Sequence, residues 1–227
     1  DENNKTIYFN YPEKEVEINY EPVNILYEDA FLIAAFKPPF LLVHDDGNSK
    51  DTLQARINGY LQLNGNKYPA QAIHRIDYET SGLVLFCKHP FFQAYCDKSM
   101  EEHHIKKDYI ALVQGHTNYK NKKIVSNIAR DRHNAKKMIV HPNGKESISI
   151  FNTLKNYKDY SLIQVTILTG RKHQIRVQCA SLNHPILNDS LYGGKRIDNT
   201  GLLLQSHHIQ FNDIDITCPQ EKRFIRK

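Results

Sequence analysis

Apolar residues along the chain gather into short runs separated by polar turns, and the spacing within each run separates strands from helices. Ile25 to Tyr27 and Phe31 to Phe36 read as two strands around a turn at Glu28-Asp29, and Lys37-Pro38-Pro39 stops the second, because proline cannot donate to a ladder. A polar turn, Asp45-Asp46-Gly47-Asn48-Ser49, precedes Thr52 to Leu61, where Leu53, Ile57 and Tyr60 recur at helical spacing and Asp51 is the expected N-cap. Gly82 to Cys87, rich in branched residues, reads as a strand, and Phe91 to Glu102 as a helix with Pro90 suited to its first turn. Tyr109 to Val113 is a further strand, closed by Gly115. Ile148 and Ile150, then Ile163, Val165 and Ile167, occupy alternate positions, as a sheet with a covered face requires. Gly170 ends that strand. In Gln174 to Leu182, the residues Ile175, Cys179 and Leu182 fall at i, i+4 and i+7, the buried stripe of a short helix.

Strands outnumber helices and no repeat relates them, which predicts an α+β fold: a mainly antiparallel, mixed sheet with flanking helices. Residues 1–23 are expected to form an N-terminal arm and residues 24–227 the folded domain. Residues 116–145 are dense in Lys and Arg and poor in apolar side chains, and read as a solvated ribbon or insertion. The 227 residues are 40% hydrophobic and 24% charged, the make-up of a globular chain rather than a disordered or collagenous one. The longest apolar run, Phe31 to Phe36, is far shorter than the roughly 20 residues of a membrane-spanning helix. The polar N-terminus lacks a basic segment followed by an apolar one, so no secretory signal is expected. Cys87, Cys96, Cys179 and Cys218 are widely spaced and form no CxxC pair, which points to free thiols and a cytoplasmic location. The net charge of +5 and pI near 8.9 suit a phosphate-rich partner without requiring one.

Two segments carry candidate chemistry. His74-Arg75-Ile76-Asp77-Tyr78-Glu79-Thr80-Ser81-Gly82 sets a cation and carboxylates against a buried strand, where a low-dielectric wall can give a carboxylate a specific role; an ordinary surface turn with an Arg75–Asp77 pair is the plainer alternative. In Gly170-Arg171-Lys172-His173-Gln174-Ile175-Arg176, Lys172 and Arg176 stand at i, i+4, so two like charges face each other on a helix unless an anion lies nearby. Arg176 sits at the edge of the apolar stripe, where its stem can be covered while its guanidinium meets a phosphate or a carboxylate such as Asp77.

These motifs, with His184-Pro185-Ile186-Leu187-x-Asp189-x-Leu191-Tyr192-Gly193, resemble the RluA-type RNA pseudouridine synthase family. Lys107-Asp108-Tyr109-x-Ala111-x-Val113-x-Gly115 is similar to that family's tyrosine strand, Leu26-Tyr27-Glu28-Asp29 to Lys37-Pro38 to its opening motif, and Lys136-Lys137-Met138 with Val140 to its basic ribbon. The resemblance covers residues 24–220. It implies isomerisation of uridine in structured RNA, ribosomal or transfer, to its C-glycoside, without cofactor or metal. Asp77 would be the nucleophile, Arg176 its partner cation, Tyr109 the ring packed on the uracil, and Leu204 the apolar wall of the pocket. Arg75 would fill the stack or grip a phosphate once the nucleotide is everted. Arg171, Lys172, His173, Lys136 and Lys137 would contact RNA, with Arg130 and Arg132 adding backbone contacts; His173 and His74 also fit a structural histidine.

The chain departs from the family pattern at Lys172, where a small hydroxyl residue is usual, Gln178 for His, Asn188 for Gly, and Gln205-Ser206 for His-Ala. The arm is too short for the S4-like RNA-binding domain of many members, so recognition is expected from the catalytic domain. The adjacent pairs His103-His104 and His207-His208 lack metal-ligand spacing, and no metal is expected. A monomer is expected. The reading from another class is a non-catalytic RNA-binding or RNA-folding protein that keeps the basic cleft; Asp77, Tyr109 and Arg176 together argue against it, since a pure binder gains nothing from a carboxylate facing phosphates.

Overall fold

A computed structural model of the chain describes residues 15–47 and 49–225. Most of the expected arm, and Asn48 of the expected turn, lie outside the described residues. The strands are β1 (Asn24–Glu28), β2 (Leu32–Lys37), β3 (Gln71–Ala72), β4 (Ser81–Cys87), β5 (Lys106–Gln114), β6 (Lys122–Arg130), β7 (Met138–Val140), β8 (Lys145–Asn156), β9 (Tyr160–Ile167), β10 (Leu204–Phe211) and β11 (Ile214–Thr217). The helices are α1 (Leu53–Leu63), α2 (Pro90–Glu101) and α3 (Gln174–Ser181).

The strands form one sheet in the order β1-β2-β4-β10-β5-β9-β8-β6-β7, with β3 beside β4 and β11 beside β10. Every pairing is antiparallel except that of β4 with β10. The expected α+β class, a mainly antiparallel mixed sheet with helices against it, is what the chain adopts.

The central strands read as continuous apolar runs because both of their faces are covered. On β2 and β4, Ile33, Ala35, Val84 and Phe86 pack with Leu53, Ile57 and Leu61 of α1, while Leu32, Ala34, Leu83 and Leu85 pack with Cys96 of α2. Ile175 and Cys179 of α3 join the first of these clusters, with Leu182 packed against it, as the stripe predicts.

One local expectation is corrected and one pair of alternatives is resolved. The N-cap of α1 is Thr52, whose hydroxyl accepts from the Ala55 amide at 3.1 Å; Asp51 instead receives Arg56 Nε and Nη2, each at 2.8 Å. For the basic stretch 116–145 the ribbon alternative holds and the insertion does not: β6 and β7 lie within it and extend the sheet through β8. Its apolar signal is weak because that end of the sheet is largely exposed, with only Ile128 of β6 buried.

The one parallel pairing of named strands among the described residues positions the site. Parallel strands begin at the same end, so the loop before β4, which contains Asp77, meets the segment before β10, which leads into Leu204; β10 in turn pairs Ser206 with Tyr109 of β5. Gly82 makes the junction tight. Its φ is +112°, and a Cβ there would lie 2.1 Å from the Ser206 carbonyl oxygen and 2.6 Å from the Ser206 nitrogen. Gly82→Ala is therefore expected to destabilise the fold by about 3 kcal/mol or more. Urea unfolding checks this, and a loss under about 1 kcal/mol would contradict the tight approach.

Candidate active site

Asp77 lies in the loop 73–80 between β3 and β4, which closes its own turn with the Thr80 amide on the Asp77 carbonyl at 3.1 Å and is pinned further by buried polar contacts. Lys37, fully buried at the end of β2, donates its Nζ to the carbonyl oxygens of Leu41 at 2.7 Å, Pro38 at 2.8 Å and Tyr78 at 3.1 Å. The Phe40 amide also donates to the Tyr78 carbonyl, at 2.8 Å, and the Leu202 amide to that of Glu79, at 3.2 Å. Burial pulls the Lys37 pKa down to about 7, with the Asp77 charge opposing that fall. The sequence places Lys37 in the segment that stops β2 and in the family-like opening motif, but assigns its ammonium no role. The one available signal was a lysine closing an otherwise apolar strand.

Arg176 enters from α3 and is buried, 5% exposed. Its Nε and Nη2 donate to Asp189 Oδ2 and Oδ1 at 2.8 and 2.9 Å, a two-pronged pair, and its Nη1 donates to Asp77 Oδ2 at 3.1 Å. The Tyr192 ring lies 5.1 Å from the guanidinium carbon. Burial opposes the Arg176 charge, but the hydrogen bonds and charge of Asp189, joined by those of Asp77, more than offset it and raise its pKa. The expected Asp77–Arg176 contact is present, yet the main anion at Arg176 is Asp189, which stands in a matched motif but was given no role. The repulsion argued for Lys172 and Arg176 does not operate, because Lys172 precedes the helix and is exposed.

The junction that presents Arg176 is held by Gln174. Its side-chain oxygen accepts from the Thr169 hydroxyl and the Arg171 amide at 2.9 and 3.0 Å, while its nitrogen donates to the Ile148 carbonyl and the Ser149 hydroxyl. Gln178, one turn on, donates to the Ser126 hydroxyl and the Ser147 carbonyl and accepts from Ser149. Asn188 occupies a left-handed conformation, φ 68°, which asparagine tolerates better than most residues, and its side chain ties down Asp198, Gly201 and Ile197.

A cavity of about 440 Å³ opens at these groups. Asp77, Tyr109, Arg176 and Leu204 line it together, Arg75, Arg171 and Lys172 complete its cationic side, and His173 also lines it. The Asp77 side chain is 28% exposed, reachable from solvent yet touching a buried cation. Tyr109 is buried, and burial, reinforced by the Asp77 charge, raises its pKa, so the phenol keeps its proton at neutral pH. Arg75 is exposed at the mouth, 3.2 Å from His44 Nε2, and Arg171 Nε donates to the Glu146 carbonyl at 3.0 Å. The basic ribbon stays outside: Lys136 is exposed on the β6–β7 connection, and Lys137 lies over the Tyr192 ring, at 5.6 Å.

His173 adopts a left-handed conformation, φ 55°, with Nδ1 at 2.9 Å from the Tyr192 hydroxyl and Nε2 at 3.8 Å from Asp77. Burial, helped by Arg176 and Lys172, lowers its pKa to about 4 despite Asp77, so it faces the carboxylate as a neutral ring at neutral pH. His74 Nε2 accepts from the Leu85 amide at 3.1 Å, and burial takes its pKa to about 3.

The family model described as RNA pseudouridylate synthase matches residues 32–181. An uncharacterized RNA pseudouridine synthase of Bacillus subtilis, YhcT, is 37% identical over 179 residues, which cover 77% of this chain and 59% of the relative. The ribosomal large subunit pseudouridine synthase D of Borreliella burgdorferi is 33% identical over 215 residues, 90% of this chain and 64% of the relative. The chain thus spans about three fifths of the length of these curated relatives. Among solved structures, human RNA pseudouridylate synthase domain containing 1 shares the fold with a TM-score of 0.77 at 21% identity, over 89% of this chain and 85% of that one.

Both buried histidines take protons more readily in the unfolded chain, near pH 6.5, than in the fold, near pH 4 and 3. Between those values the unfolded chain binds more protons, so stability is full above pH 6.5 and falls as pH drops. The loss should reach on the order of 2 kcal/mol per histidine by pH 5. Urea unfolding across pH checks this: His74→Gln should remove about half of the pH dependence, leaving the share of His173, and a flat wild-type profile would contradict the assignment.

Proposed function

Because the chain belongs to the RNA pseudouridylate synthase family, we propose that its cavity isomerises a uridine of structured RNA to pseudouridine, with Asp77 as the nucleophile. The observation that carries this reading is the Asp77 carboxylate, open to the cavity and 3.1 Å from a buried arginine that is itself anchored. A nucleophile of this kind has to be anionic yet poorly hydrated, and an adjacent guanidinium favours the anion.

The target uridine is everted into the cavity, since a stacked base cannot reach Asp77. The carboxylate forms a covalent bond to the nucleoside, at the sugar C1′ or at the uracil ring, and the C1′–N1 bond breaks. The ring turns to present C5, a C1′–C5 bond forms, the bond to Asp77 breaks, the C5 proton leaves and N1 gains one. Reactant and product are isomers, so atoms and electrons balance with this chain's groups alone. Tyr109 packs on the uracil; as a protonated phenol it accepts the C5 proton only while passing on its own. Leu204 walls the ring, and Arg75, Arg171 and Lys172 at the mouth hold phosphates, which position RNA without reading it. Lys136 and Lys137 bind backbone farther out. The names of the relatives favour ribosomal RNA over transfer RNA as the substrate class.

Asp77→Asn should abolish tritium release from RNA labelled with 5-tritiated uridine while leaving RNA binding within about tenfold of wild type. Full retained activity would remove Asp77 from the chemistry. A wild-type protein that binds RNA tightly but releases no tritium would favour the RNA-folding alternative.

A further inference from the structure

The cavity contains a cation that the chemistry above does not use. Lys107 lies two residues before Tyr109 on β5, so both side chains leave the strand on the same face, and both line the cavity. Lys107 is buried, 7% exposed, and the hydrogen bond of its Nζ among the described residues is to the Met100 sulfur at 3.5 Å, a weak acceptor. No carboxylate stands within ion-pair distance of it among the described residues. Asp108, next in sequence, points to the opposite face, where His208 Nδ1 at 2.8 Å and the Thr166 hydroxyl hold it. His74, which shares the cavity lining, is neutral, and its buried Nδ1 has no hydrogen-bond partner among the described residues.

Lys37 shows how this chain satisfies a buried ammonium, with three carbonyl oxygens. Lys107 has nothing comparable. Burying a charge without a partner opposes folding, and an anionic ligand entering the cavity would supply the partner that the fold does not. Burial brings its pKa down to about 8, so it remains largely charged at neutral pH.

We propose that Lys107 is a substrate-binding cation that receives an anionic oxygen of the everted uridylate: a phosphate attached to that nucleotide, or the uracil oxygen that gains negative charge as the glycosidic bond breaks. This rests on the reading of the cavity as the uridine site. It adds a contact inside the cavity to those of the cations at its mouth.

The test compares wild type, Lys107→Met and Lys107→Arg on unmodified RNA labelled with 5-tritiated uridine, from cells lacking the gene, with rates normalised to folded protein. Lys107→Met should lower kcat/KM by at least about 30-fold without lowering Tm, and Lys107→Arg should recover a large part of the loss. If the oxygen belongs to a phosphate, the loss appears in KM and the salt dependence of binding weakens by about one counterion. If it belongs to uracil, the loss appears in kcat with the salt dependence unchanged. A Lys107→Met variant within about twofold of wild type in both constants, or an arginine variant no better than the methionine one, overturns the proposal. Asp77→Asn, assayed alongside, separates the two readings: activity retained there removes the nucleophile assignment, while the Lys107 comparison still stands or falls on its own constants.

Discussion

The buried guanidinium of Arg176 is the hinge on which the site turns. Two of its donor nitrogens are committed to Asp189, whose side chain is fully buried, and this leaves Nη1 to point at Asp77. A guanidinium bound on one side only would be free to swing, and a desolvated one without Asp189 would be costly to bury. With Asp189 in place the charge is fixed in position before any ligand arrives, which is the condition for electrostatic preorganisation. Tyr192 continues the arrangement outward: its ring lies along Arg176, and its hydroxyl accepts from the Met138 amide and meets His173.

The fold serves this arrangement through one exception to its own rule. In an otherwise antiparallel sheet, the parallel contact of β4 with β10 brings the start of both strands to one edge, so Asp77 and Leu204 share a rim although they are far apart in sequence. Gly82 permits the close approach, and Lys37 fastens the Asp77 loop with its three carbonyl contacts. Cations then grade from the buried Arg176 and Lys107 to the exposed Arg75 and Lys172. That gradient suits a polyanion whose backbone stays at the surface while one nucleotide enters.

Much of this was legible in the sequence. Alternation and branched residues located β2, β4, β5 and β9, and the stripe Ile175, Cys179, Leu182 located α3, because burial imposes the period directly. The motif residues Asp77, Tyr109, Arg176 and Leu204 do share one cavity. What escaped was set by tertiary contact. Asp189 lies 13 residues from Arg176, and no helical or strand period links the two. Lys37 closes an otherwise apolar strand and Lys107 stands in the tyrosine strand, but a linear string does not show which contacts bury their ammonium groups. The stretch holding β6 and β7 reads as either a solvated ribbon or an insertion, because an exposed sheet end carries no apolar alternation to decide between them. Thr52 displaced Asp51 as cap because Asp51 was taken by Arg56.

The claim that Asp189 acts through Arg176 is tested most directly by a double-mutant cycle in kcat, using Asp189→Asn, Arg176→Met and the pair, each normalised to folded protein. If Asp189 serves only to hold the guanidinium toward Asp77, each single change lowers kcat by on the order of 100-fold, and the double variant matches Arg176→Met within about twofold. Losses that multiply in the double variant would mean that the two residues act independently, and would contradict the account.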